Sequence, residues 1–100
     1  MFDYINMTQV EGLDSGQNLR LFVLSICGYC KKALSYLNDA GLSYEYIFVD
    51  ELKVEIKQQV KDEFKANFDK RMTFPSLVID DEDYLMGFIK IAWDTLLLKE

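Results

Sequence analysis

The chain has 100 residues, of which half are hydrophobic and 14% aromatic, and a formal charge of −6. That is enough apolar material for one core, while the acidic balance argues against nucleic-acid binding, which calls for a basic face. Two cysteines are too few for a disulfide framework, and the absence of histidine removes imidazole-activated nucleophiles and histidine metal ligands.

Residues 1–18 are mostly polar and carry Gly12 and Gly16, so they read as a weakly structured leader. Phe2, Tyr4, Ile5 and Val10 are the side chains able to pin it to a domain. The segment lacks the basic start and apolar centre of a signal peptide, and no apolar run reaches membrane-spanning length. The expectation is a cytoplasmic chain with no membrane contact. Residues 19–100 form the expected domain.

Residues 19–25 are nearly all apolar, the pattern of a central strand buried on both faces. After the two cysteines, Cys30, Ala33, Leu34 and Leu37 recur at helical spacing, with Lys31, Lys32, Ser35, Asn38 and Asp39 opposite. Gly41 is placed to end that helix. Residues 43–50 are aromatic and β-branched, a second strand, which completes a right-handed βαβ unit. Residues 51–65 carry Leu52, Ile56, Val60 and Phe64 at steps of four, a second helix whose Lys and Glu residues read as a solvated face. A turn-like segment, residues 66–72, leads to Thr73-Phe74-Pro75. Residues 77–79 and 84–86 form a hairpin. Ile89, Ala92, Trp93 and Leu96 supply the inner face of a last helix. The order is β-α-β-α-β-β-α, an α/β domain with a four-stranded mixed sheet flanked by helices.

The chemistry gathers at Cys27-Gly28-Tyr29-Cys30, where the first strand runs into the first helix. Unpaired N–H groups at a helix start stabilise a thiolate, the form of cysteine that attacks disulfides. Cys27 is then the nucleophile, with the charge of Lys31 assisting. Cys30, one turn inside the helix, is the resolving thiol. A structural disulfide or half of a zinc site is the alternative, and zinc would need two more ligands from carboxylates or a second chain. No metal ligand set is assigned.

This order of elements, with C-x-x-C at the first strand–helix junction and the only proline before the third strand, resembles the thioredoxin fold. Within that fold the residues Cys27-Gly28-Tyr29-Cys30, Thr73-Phe74-Pro75 and Met86-Gly87-Phe88 are similar to those of glutaredoxins and glutaredoxin-like proteins over residues 19–98. The resemblance implies a thiol–disulfide oxidoreductase that reduces protein or small-molecule disulfides, is monomeric and needs no bound cofactor. It implies glutathione as co-substrate and reductant, or thioredoxin reductase in its place. The reason for that choice lies in the departures: Gly28 stands where the family usually has proline, Leu24 where many members carry a lysine for a glutathione carboxylate, and Met86-Gly87-Phe88-Ile89 replaces the paired glycines and aspartate.

By the same resemblance Pro75 is a cis-proline that turns the backbone of Phe74 toward a bound peptide; a trans proline opening a strand is the alternative. Thr73 lines the groove or bonds within its loop. Tyr29 flanks the groove or is merely exposed. Gly87 allows close backbone approach or makes a plain turn. Lys70 or Arg71 takes the carboxylate role that Leu24 cannot fill, or is simply solvated. Two other functions compete: a dimer holding a [2Fe–2S] cluster between two Cys27 thiolates and two external thiols, and a non-catalytic interaction module.

Overall fold

A computed structural model describes residues 1–13 and 16–98; the expected leader and domain ranges also include residues 14–15 and 99–100, which lie outside the described residues. The strands are β1 (Thr8–Val10), β2 (Leu19–Val23), β3 (Tyr44–Phe48), β4 (Ser76–Ile79) and β5 (Asp83–Met86), and the helices α1 (Gly28–Asp39), α2 (Val54–Phe68) and α3 (Lys90–Leu97). The strand order is β1-β3-β2-β4-β5. Among the strands of the described residues only β2 and β3 pair in parallel, and the other three pairings are antiparallel.

The sheet therefore has five strands rather than the expected four. The extra one comes from the segment read as a weakly structured leader, which instead pairs Thr8 with Tyr46 and Val10 with Tyr44. An edge strand of three residues facing solvent carries no apolar alternation, so periodicity cannot reveal it. Phe2 anchors the same segment, buried against Phe22 with ring centroids 4.8 Å apart.

Alternation along β2 divides the core in two. Leu19, Leu21 and Val23 meet Cys30, Ala33 and Leu37 of α1 and Trp93 and Leu97 of α3. Phe22, from the other face, meets Val60 and Phe64 of α2 together with Phe2, Ile47 and Val78. Each large apolar side chain so buried contributes about 2 kcal/mol. Arg20 interrupts the run, and its guanidinium is bonded to Glu45, Asp81 and the Met1 carbonyl.

Three element boundaries move for local reasons. Strand β3 stops at Phe48 because Val49, fully buried, turns the chain into a short 3-10 segment, Val49–Glu51. Helix α2 begins and ends three residues later than expected, closing at Asp69 in the left-handed conformation (φ 55°) where a glycine would have been the visible signal. Ile89 precedes α3 and is 65% exposed, so it leaves the expected inner face; Trp93 is buried and Ala92 and Leu96 pack partly buried on the core as expected, with Leu97 added. Helix α1 ends as expected: the Leu42 N–H donates to the Leu37 carbonyl and the Gly41 N–H to that of Asn38.

Candidate active site

Strand β2 leaves the sheet at Val23, and four residues carry the chain to the start of α1. Cys27 is the N-cap, extended at φ −161° and ψ 116°. Its sulfur takes the capping role usually played by an oxygen, accepting from the Cys30 N–H at 3.2 Å, while its carbonyl accepts from the Lys31 N–H at 3.1 Å. Cys27 is half-buried, Cys30 fully buried, and both are free thiols.

Their surroundings differ sharply. Burial pushes the Cys30 thiol up to about 12, reinforced by its hydrogen bond with Cys27 and opposed by the Leu24 N–H, which donates to its sulfur at 3.5 Å. At neutral pH about one Cys30 in 10⁵ is then ionised. The pair is a half-buried cysteine at a helix mouth backed by a protonated one in the core.

Two further segments meet this junction. Phe22 pairs with Ser76 across antiparallel strands, so β2 exits and β4 enters at the same end of the sheet. The Phe74–Pro75 peptide there is cis. Pro75 is buried, Phe74 half-buried and Thr73 exposed, the Thr73 carbonyl accepting from the Ser76 hydroxyl. Gly87 closes the arrangement: its N–H donates to the Pro75 carbonyl at 2.7 Å and its carbonyl accepts from the Trp93 indole at 3.0 Å. Gly87 adopts φ 72°, a conformation that a side chain would disfavour. Tyr29 is 62% exposed with the Lys32 ammonium 5.0 Å from its ring centroid, and Lys31 is exposed in the first turn.

Arg71, Thr73 and Phe74 line a cleft of about 770 Å³ with Lys61, Lys65 and Asp62 of α2; Lys70 is exposed and is not among its lining residues. On helical spacing alone Lys61 and Lys65 belong to a solvated face. Their signal was a lysine stripe at positions 57, 61 and 65, which a helix places on one side. Nothing in the local sequence marks Asp50. It accepts from the Ser25 N–H at 2.9 Å and from the Ser25 hydroxyl, two residues ahead of Cys27. These bonds, chiefly the hydroxyl one, hold its carboxyl below the usual carboxylate range.

The family model Glutaredoxin matches residues 19–84. The chain belongs to the glutaredoxin family. Among solved structures, a glutaredoxin of Methanosarcina mazei is 28% identical with a TM-score of 0.79, over 93% of this chain and 88% of that one. The methanoredoxin of Methanosarcina acetivorans is 31% identical with a TM-score of 0.76, over 86% and 88%. A buckwheat glutaredoxin–glutathione complex shares the fold at 20% identity and a TM-score of 0.59, over 73% of this chain and 63% of that one. No curated protein matches the chain. Glutaredoxins are thiol oxidoreductases with a thioredoxin-like fold, and glutathione is the family's co-substrate. Among the described residues no helix is long and apolar enough to cross a membrane.

Proposed function

We propose that this glutaredoxin is a dithiol oxidoreductase that reduces protein or small-molecule disulfides, acting as a monomer in the cytoplasm. The observation that carries this reading is the asymmetry of the pair: Cys27 half-buried at the N-cap of α1, Cys30 fully buried behind it. Cys27 as thiolate attacks a substrate R–S–S–R′. A Cys27–S–S–R bond forms, and R′–S⁻ leaves and takes a proton from water. Cys30 then attacks the Cys27 sulfur, its proton passing to the departing R–S⁻, and the two cysteines end as a disulfide. Two thiols of the reductant return the two electrons.

Tyr29, Lys31, Thr73, Phe74, Pro75 and Gly87 are the groove residues in this reading, and Arg71 its anion ligand. Glutathione is the reductant that the cleft favours. Lys61, Lys65 and Arg71 gather three cations in a chain of net charge −6, and they offer a carboxylate what Leu24 cannot.

Two cysteine variants test the chemistry. Cys27→Ser abolishes reduction of hydroxyethyl disulfide, whereas Cys30→Ser accumulates a mixed disulfide visible by mass. Equal activity of Cys27→Ser and the unaltered protein would overturn the assignment. Comparing glutathione plus its reductase with NADPH plus thioredoxin reductase tests the electron source, and faster turnover with the second would reject the role given to the cleft.

A further inference from the structure

We propose that Asp50 is a positioning residue of the thiol site, acting through Ser25 to hold the segment that delivers Cys27 to the start of α1. The inference deepens the oxidoreductase reading and rests on it.

Between Val23 and Gly28 the chain must turn out of the sheet and into the helix. Two consecutive peptide N–H groups of that turn are held from different places. The Leu24 N–H donates to the Cys30 sulfur at 3.5 Å, and the Ser25 N–H to Asp50 Oδ1 at 2.9 Å. The Ser25 hydroxyl donates to the other carboxylate oxygen, so the grip of Asp50 is twofold. Ile26, the next residue, is 91% exposed and adds little packing. Asp50 is itself well anchored: it follows fully buried Val49, just beyond the point where Phe48 pairs with Val23. A carboxylate held just past the end of β3 thus sets where Ser25 lies, and Cys27 is two residues on.

Direct proton abstraction from Cys30 is a poorer role for the same group. The Cys30 thiol stands at about 12, and Asp50 lies below the ordinary carboxylate range through its Ser25 bonds, with Lys57 of α2 adding to the effect. Transfer from that thiol to this carboxylate would be strongly unfavourable, since one holds its proton unusually tightly and the other unusually weakly. The charged or titrating groups acting on Cys30 are Cys27 and Asp50, and the weaker push from Asp50 favours the protonated thiol.

The test uses the full chain with Asp50→Ala, Asp50→Asn and Ser25→Ala, following iodoacetamide alkylation of Cys27 at neutral pH and the kcat and KM for hydroxyethyl disulfide. Asp50→Ala should slow alkylation and lower kcat about tenfold, with KM within about twofold, because misplacement of a reacting atom is felt in the chemical step. Asp50→Asn keeps an acceptor for the Ser25 N–H and should recover both rates to within about threefold of the unaltered protein. Ser25→Ala, which keeps its own N–H, should fall between. Should Asp50→Ala fail to fold, the Asn and Ser25 variants still decide. Alkylation and kcat at unaltered levels in Asp50→Ala, or in Ser25→Ala where that variant stands in, would overturn the inference, as would an Asn variant no better than Ala. A chain that reduces no disulfide, yet loses Cys27 alkylation with Asp50→Ala, would refute the oxidoreductase reading and leave the positioning role standing.

Discussion

The two ends of β2 are built for opposite purposes. At its start Arg20 donates to Glu45 at 2.8 Å, to Asp81 at 3.2 Å and to the Met1 carbonyl, its side chain only 15% exposed. That end ties together the N-terminus, β3 and the β4–β5 turn, and its polar groups satisfy one another. At the other end the strand runs out through Ser25 and Ile26 to a half-buried sulfur, with Tyr29 and Thr73 exposed nearby in the fold. One strand joins a closed electrostatic clasp to a half-buried thiol at a helix start. Stability and reactivity should therefore respond to different substitutions.

The largest separation is expected at the clasp. Arg20→Ala leaves Glu45 and Asp81 without their cation, and because the Arg20–Glu45 pair is largely shielded, while Asp81 is 42% exposed and adds little, the loss should be about 3 kcal/mol. Denaturant midpoints measure it. Cys27 alkylation should stay within about twofold of the unaltered rate, and a larger fall would show that the two ends are coupled through β2.

Next in size is a pH effect at the thiol end. The folded-state Cys30 thiol stands at about 12 against an ordinary value near 9. A group raised in this way binds its proton more tightly folded than unfolded. Its contribution to stability is complete below the unfolded value and is lost as pH rises toward the folded one. Stability of the reduced protein should then decline above about pH 9, with a limiting slope from this group of about 1.4 kcal/mol per pH unit. Tyr36 adds in the same direction, since burial and its hydrogen bond to Asp94 raise it too. In the Cys27–Cys30 disulfide form the thiol contribution vanishes, so urea midpoints of the two redox forms should diverge with pH. Parallel curves would contradict the burial assigned to Cys30.

The same contrast explains what could be read from the chain. The element order, the strand–helix placement of Cys27 and the helix-ending role of Gly41 are local: a buried strand is a run of apolar residues, a helix a repeat near four, a stop a glycine. The clasp is not local. Arg20 breaks an apolar run for partners 25 and 61 residues away, and β1 is short, polar and recognisable only through its pairing with β3. Asp50 looked like the last residue of a strand because nothing nearby in sequence announces Ser25 as its partner. Lys61 and Lys65 face the same difficulty, since the loop that makes their side of α2 a cleft comes later in the chain.

The smallest effect, and the finest test of the thiol end, is expected from Gly28→Pro. Gly28 is the first residue of α1, where the missing N–H and fixed φ of proline suit a helix. A Cβ built there meets nothing within 4 Å. Proline also restricts the residue before it to extended backbone, and Cys27 is already extended at ψ 116°. The native state should accept the ring without strain while the unfolded chain loses freedom, which should stabilise the protein by about 0.4–1 kcal/mol. Since the Cys30 N–H lies two residues on, its bond to the Cys27 sulfur should survive, and alkylation of Cys27 should change by less than about twofold. A destabilised variant would mean that the Gly28 N–H, or the freedom of the turn around it, is needed at the thiol end.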